Sequence, residues 1–221
     1  MGVFICFESI PQGRDSMSVF ENYTKSLVHL LAGPFVHTEM LVATPTETSV
    51  FTIHLGGVFC KTPFDPAAYK NFTLLALFTS PEEDLKILQT CEACVTCKIK
   101  YNTKDMLLHP IPFRTPEERC LAHSPSLYCA QSMVLILREC LESDNPLLRQ
   151  IGPANVHSRT VTPTALYDLM HPLCLVVLPS SVSCQTFPSP SSASTSHDSV
   201  GLKSDQPKSS RGPKKETWDR W

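Results

Sequence analysis

One segment of the sequence is apolar on nearly every side of the helix that it predicts. It runs from 127 to 140 and reads LYCAQSMVLILREC. A helix that is hydrophobic all round has to be buried on all sides, so the other elements must be arranged around it. Cys129, Met133, Ile136 and Cys140 share one face at helical spacing. The sequence therefore predicts a central, rigid helix with a cysteine near its start.

The start of this helix decides the chemistry of Cys129. Ser124 or Ser126 can cap the helix and Pro125 suits a first helical position, which puts Cys129 in the first or second turn. There the helix dipole and the unpaired backbone N–H groups favour a thiolate over a thiol. The same N–H groups can hold an oxyanion during acyl transfer. Taken alone, the helix favours a structural cysteine, because cysteine is among the most buried residue types.

A histidine lies far upstream on a segment with strand character. His37 occurs in PFVHTEMLVA, and Glu39 follows on the same face of the strand. A hairpin with SVFTIHLGGVF around TPTET places His37 opposite His54 and Glu39 opposite Thr52, with facing Cβ atoms about 5 Å apart. His54 can then hold the imidazole of His37 in one tautomer, as the third member of a triad does. Glu39 and Thr52 are the other candidates for that role.

Residues 1–180 alternate between strand-like and helix-like segments. The segment SPEEDLKILQTCEACVTC opens with Ser80, Pro81 and three acids, which is typical of a helix start. A further amphipathic helix is indicated by DSMSVFENYTKSLVHLLAG, and strands are indicated by MGVFICFE, PFVHTEMLVA, SVFTIHLGGVF, TLLALFTS and KIKYN. The pattern predicts an α+β domain whose small, mainly antiparallel sheet packs against helices.

The composition changes at about residue 180. Residues 181–221 are rich in serine, proline and lysine and poor in apolar side chains. Such a segment buries too little surface to offset the entropy of ordering it. We therefore predict a disordered, solvated tail over 181–221; the alternative is a tail that recruits a protein partner or directs localisation.

Charge and hydropathy argue against several classes of function. The net charge of -2 argues against a nucleic-acid binder built on a basic surface. The apolar run LCLVVL is far shorter than the roughly 18 residues that span a bilayer. The first residues lack the basic start of a signal peptide, so we expect a cytoplasmic protein with reduced thiols.

Three cysteines follow one another at three-residue spacing in CEACVTC. A zinc site needs four ligands, and either Cys60 or Cys120 could join Cys91, Cys94 and Cys97. Only one such cysteine pair motif is present, and the spacing puts the three on one stripe of a helix. We prefer core thiols to a zinc module, and we expect neither a metal nor a cofactor in the active site.

Four stretches, taken in order, form a larger pattern. They are FVHTEMLV with His37, KIKYNTKD with Tyr101 and Asn102, SLYCAQSMVLILREC with Cys129, and then SRTVTPTALYDLM. The pattern resembles the circularly permuted papain-like cysteine amidases of the NlpC-type superfamily, which includes the lecithin:retinol acyltransferase group. Papain runs from cysteine to histidine, whereas the permuted members run from histidine to cysteine, as here.

The resemblance implies a permuted papain-like fold in which Cys129 is the nucleophile and His37 its base. In the acyltransferase group a second histidine on the next strand orients the base, which favours His54 over Glu39. The motif differs from the family's Tyr-Cys-Ser-Glu type, because alanine and glutamine follow Cys129 here. The residues that the resemblance places at the oxyanion or substrate pocket are Tyr128, Gln131 and Tyr101.

The implied activity is that of a cysteine-dependent hydrolase, such as a thiol protease or amidase, or of an acyltransferase. Its substrate would be a peptide, another amide or a lipid ester. The alternative is a non-catalytic binding protein that keeps the fold while its tail recruits a partner. The distance from the Cys129 sulfur to a His37 ring nitrogen separates the two, with about 4 Å expected for an enzyme.

Overall fold

The described part of the chain comprises residues 1–9, 33–108 and 120–182 of a computed structural model. It is an α+β fold, which confirms the predicted class. The helix predicted before Gly33, with His29, lies outside the described residues, and so do His109 and the tail from residue 183 on. The boundary at 180 therefore stays a prediction. Among the described residues, no helix combines the length and apolar character of a membrane span.

The main sheet has six strands, all antiparallel, in the order β4-β3-β2-β1-β5-β8. A second sheet is the short parallel pair β6-β7. The mainly antiparallel sheet is thus confirmed. In chain order the strands are β1 (Gly2–Ser9), β2 (Phe35–Ala43), β3 (Thr48–Thr52), β4 (Cys60–Pro63), β5 (Phe72–Ala76), β6 (Lys100–Tyr101), β7 (Ser126–Leu127) and β8 (Leu175–Val177).

The helices of the described residues pack mainly against one face of this sheet. The first begins at a capping box, in which Ser80 Oγ accepts from the Glu83 N–H and the Glu83 carboxylate accepts from the Ser80 N–H; the predicted start is confirmed. The α-helices are α1 (Pro81–Thr96), α2 (Thr103–Leu108), α3 (Cys129–Cys140), α4 (Pro146–Ile151) and α5 (Pro163–Met170), joined by 3₁₀ turns at Pro66–Tyr69, Leu121–His123, His171–Leu173 and Pro179–Ser181.

Helix α3 is the centre of the fold. It packs against β2 on one side and α1 on another, and every residue from Cys129 to Leu137 is buried. Strand β2 alternates as a period of two requires: Met40 and Val42 face the core that contains α3, while Leu41 faces a second, smaller core across the sheet. The predicted central helix is confirmed.

The β2–β3 hairpin has the predicted register but is shorter than predicted. Its ladder runs from the turn to the pair Met40–Phe51 and stops there, so His37 and His54 do not form a ladder pair. The strand predicted over residues 49–59 was wrong in its second half. Gly56 has a φ of 77°, a left-handed conformation that suits glycine, and it turns the chain away before β4 begins.

The start of α3 differs from the prediction. Tyr128 is the N-cap and Cys129 is the first helical residue, so the predicted cap at Ser124 or Ser126 was wrong. The reason is strand pairing: β7 takes Ser126 and Leu127 into an extended backbone beside β6. Cys129 nevertheless lies in the first turn, as expected.

We expect the substitution Ile136→Ala to lower the free energy of unfolding by about 2–5 kcal/mol, because it opens a cavity in a core that has no room to collapse. Ile136 is fully buried in α3, while Glu139 in the same helix is exposed. Glu139→Ala is the matched control and should change stability by no more than about 0.5 kcal/mol. Urea unfolding measures both; equal effects would contradict a central α3.

Candidate active site

Cys129 lies at a helix start whose backbone donors are available. The first N–H groups of a helix have no acceptor within the helix, and Tyr128 makes no capping bond from its side chain. The sulfur accepts hydrogen bonds from the backbone of Ala130 and of Thr38. Cys129 is only 4% exposed, so these interactions act in a poorly hydrated environment.

Strand β2 supplies the other half of the site where its pairing with β3 has ended. His37 and Thr38 precede Met40, the last β2 residue in the β2–β3 ladder. The backbone there is open on the β3 side, and the Cys129 sulfur bonds to Thr38. The same opening lets the His37 imidazole reach the thiol, with which it has a charge interaction and a hydrogen bond.

The pair stabilises the charged form of both partners. Burial raises the pKa of Cys129, but the charge and hydrogen bond of His37, with backbone bonds from Thr38 and Ala130, outweigh it and leave the pKa below its usual value. Burial lowers the pKa of His37, but Cys129 and then Glu39 raise it to about 10. Both shifts favour the thiolate–imidazolium form of the pair over the neutral form.

The second ring nitrogen of His37 is held by two oxygen atoms. Its Nε2 lies 3.0 Å from Thr52 Oγ1 and 3.3 Å from Glu39 Oε1. In the imidazolium form Nε2–H donates to these oxygens, and we assign Nδ1 to the contact with Cys129. The structure thus places two of the three candidates for the orienting residue, Glu39 and Thr52, in direct contact with the base.

His54, the third candidate, contacts the face of the His37 ring rather than its edge. The two rings are stacked, with centroids 4.8 Å apart and 24° between their planes. The Nε2 of His54 lies 3.8 Å from Glu39 Oε1, and its side chain is 63% exposed. In this position His54 covers one face of the His37 imidazole, and both histidines face the same Glu39 carboxylate. The edge of the His37 ring at Nε2 is held by Thr52 and Glu39.

Glu39 is buried and ionised because several donors surround it. The Tyr69 hydroxyl donates to Oε2, and Oε1 faces the two histidines. Burial raises the pKa of Glu39, but hydrogen bonds and charge from His37, with bonds from Tyr69 and Thr52, lower it overall. Burial and then the negative charge of Glu39 raise the pKa of Tyr69, so the phenol stays a donor. No local sequence pattern indicated Tyr69, which comes from the 3₁₀ turn after β4.

Tyr128 serves as an anchor for the helix start. Its hydroxyl lies 3.1 Å from the Ser158 carbonyl and 3.0 Å from the Val161 carbonyl, so its donor is directed at that loop. Tyr101 is partly buried close by, and its pKa is raised by burial and by the charge of Cys129. Both predicted pocket residues therefore adjoin Cys129, with Tyr128 tied to the loop that precedes α5.

A partly buried ion pair holds the same loop from the other side. Arg159 Nη2 lies 2.6 Å from Asp105 Oδ1, and Arg159 Nε lies 3.0 Å from Asp105 Oδ2. Asn102 Nδ2 donates to Asp105 Oδ2 at 2.9 Å. These contacts join the end of β6 to the loop that holds Tyr128. Asp105 and Arg159 lie within the motif stretches, but their pairing had no signal in the sequence.

Gln131, the third predicted pocket residue, is fully buried in the first turn of α3. Its amide nitrogen and oxygen have no hydrogen-bond partner among the described residues. A buried amide without a partner costs about 1–3 kcal/mol, so Gln131 still has both its donor and its acceptor for a group that reaches it.

The stripe of cysteines does not form a metal cluster among the described residues. Cys91 and Cys94 are buried in α1, and Cys97 is exposed at its C-cap. The pKa values of Cys91 and Cys94 are raised, mainly by burial, as expected for core thiols. Another contact was not foreseen: His123 Nδ1 lies 2.7 Å from Cys120 Sγ on the surface.

Comparisons with known proteins do not assign this chain to a family. No family model matches the sequence, and no curated protein matches it. One solved structure that is similar is the metalloprotein yiiX from Escherichia coli O157:H7, with a TM-score of 0.46 and 17% sequence identity over 80% of this chain and 95% of that chain. A similarity of this size supports no inference about activity.

The pH dependence of alkylation tests the thiolate–imidazolium pair. Iodoacetamide reacts with the thiolate, so the rate at Cys129, followed by peptide mass spectrometry, should reach half its maximum below the free-thiol value of about 8.5. In His37→Ala the positive charge is lost while burial remains, and the midpoint should move above that value. Equal midpoints in the two proteins would contradict the pairing.

Gln131→Met tests whether the amide belongs to the pocket. Methionine has similar volume and no polar group to satisfy, so we expect the free energy of unfolding to rise by about 1–3 kcal/mol. We also expect slower acylation of Cys129 by an ester probe, since a donor beside the thiol is lost. Lower stability together with an unchanged acylation rate would show that the amide is structural.

Proposed function

We propose that this chain is a permuted papain-like cysteine hydrolase or acyltransferase that acts on amide, peptide or lipid ester bonds. The observation that carries the proposal is the pair formed by Cys129 at the start of buried α3 and His37 on β2. The order of the two in the chain, with the histidine first, agrees with the permuted arrangement.

Acylation begins from the ion pair. The thiolate of Cys129 attacks the substrate carbonyl carbon, and the carbonyl electron pair moves onto oxygen. The backbone N–H of Cys129, the first residue of α3, helps to stabilise that oxyanion. His37 then gives its Nδ1 proton to the leaving amine or alcohol as the carbon–heteroatom bond breaks, which leaves a thioester on Cys129.

Deacylation reverses the proton path. Neutral His37 takes a proton from water, or from an acceptor alcohol or amine, and the oxygen or nitrogen attacks the thioester. The carbon–sulfur bond breaks, Cys129 leaves as thiolate and the imidazolium is restored. Throughout, the Nε2–H bonds to Glu39 and Thr52 hold the ring in one orientation, which is the function of the third residue in a triad.

A non-catalytic binding protein is the second candidate, and one observation favours it. The thiol is 4% exposed and belongs to the main core, whereas a nucleophile must admit its substrate. In such a protein the ion pair would only fix the hairpin against α3. This candidate predicts no covalent turnover at Cys129 with any acyl donor.

The test is labelling with thiol-reactive amide, ester and ubiquitin-like acyl probes, followed by mapping of the modified peptide. Cys129→Ala and His37→Ala should each abolish labelling at position 129, because one removes the nucleophile and the other its base. Cys97→Ser is the matched control, since Cys97 is an exposed cysteine at the end of α1 and takes no part in the proposed reaction. Circular dichroism checks that each variant is folded.

The result that would overturn the proposal is labelling of Cys129 at the same rate in His37→Ala as in the wild type. Absence of labelling by every probe in the wild type would favour the binding protein. Glu39→Gln and Thr52→Val separate the two oxygens at Nε2. The variant with the larger fall in rate identifies the residue that orients the base.

A further inference from the structure

Three side chains beyond the end of the β2–β3 ladder bring their metal-binding atoms close together. His37 Nε2, Glu39 Oε1 and His54 Nε2 all lie within 4.8 Å of one another. Two imidazole nitrogens and one carboxylate oxygen form a donor set that zinc and related divalent metals use in proteins. We propose that this trio is a zinc-class divalent metal site, distinct from the pairing of His37 with Cys129.

The distances are close to those that a tetrahedral ion needs. Ligands about 2.0–2.1 Å from zinc are about 3.3–3.5 Å from one another. The His37–Glu39 distance is 3.3 Å and the His54–Glu39 distance is 3.8 Å. The His54 ring is stacked on that of His37, so it has to rotate until its Nε2 points at the ion, which its exposure allows, while the two buried ligands stay in place.

The two oxygens of the Glu39 carboxylate have different partners. The Tyr69 hydroxyl donates to Glu39 Oε2, while Oε1 faces both histidines. Hydrogen bonds of this kind fix a ligand's orientation and add to metal affinity. His37 is fixed in the same way, because its other nitrogen bonds to the Cys129 sulfur. Two of the three ligands are thus preoriented by their neighbours.

Access and a further coordination position are both available. The His54 side chain is 63% exposed, whereas those of His37 and Glu39 are 11% and 5% exposed, so an ion enters past His54. Three protein ligands leave the fourth position of a tetrahedral zinc to water. A metal on Nε2 takes the place of the proton there, so metal-free and metal-bound forms are chemically different states of one histidine.

The metal site does not depend on Cys129 being a nucleophile, so its test is separate. Reduced full-length protein, stripped with a chelator, is titrated with Zn²⁺ against a chromophoric chelator. We expect one equivalent to bind, and His54→Ala to weaken binding at least about tenfold, because one of three ligands is lost. Glu39→Gln should weaken zinc binding by a similar factor. His54→Ala is the better test, because His54 is exposed and its loss should disturb folding less than a change at the buried Glu39.

Two control variants distinguish this site from the cysteine-based alternatives. Cys97→Ser and His123→Ala should each bind zinc within about twofold of wild type, since neither removes a ligand or a residue that orients one. With Co²⁺ as the probe, a site of nitrogen and oxygen donors gives no thiolate-to-cobalt charge-transfer band.

Unchanged affinity in His54→Ala overturns the assignment. Loss of affinity in Cys97→Ser would instead place the ion at the cysteines of α1, and loss in His123→Ala would place it at the surface pair with Cys120. A thiolate band in the cobalt-loaded protein that disappears in Cys129→Ala would show that the sulfur is a ligand, which also contradicts the trio.

Discussion

The site depends on one histidine between two acidic groups. His37 interacts with the Cys129 sulfur, and its Nε2 lies beside the Glu39 carboxylate and Thr52. An isolated charge in such a buried place would be neutralised by a shift of its pKa, so the charged form of each of the three groups depends on the other two. A change to any one of them therefore alters the charge of its neighbours as well as its own chemistry.

The sheet makes this arrangement geometrically feasible. Glu39 and Leu41 share a face of β2, and Leu41 lies in the small core, whereas Cys129 lies in the large core on the other face. His37 contacts both Glu39 and Cys129, and it lies beyond Met40, where the β2–β3 ladder ends.

The sequence predicted those parts of the fold that follow from local patterns. Apolar residues on all sides of 127–140 identified the central helix, and the period of two around TPTET gave the correct register of the hairpin. It did not predict where the ladder ends or where α3 begins, since these depend on the Gly56 turn and on β6–β7 pairing between distant segments. The Tyr69 contact with Glu39 likewise joins residues with no shared pattern.

The bond between the Cys129 sulfur and the backbone of Thr38 has a consequence for how such a chain can change over evolutionary time. The sulfur serves as hydrogen-bond acceptor to a strand whose ladder with β3 has already ended, so it stabilises the sheet as well as any reaction. A lineage that lost its catalytic activity would still lose stability on replacing this cysteine. Its persistence in relatives would therefore be weak evidence of activity, whereas joint persistence of the cysteine, the histidine and the buried carboxylate would be stronger.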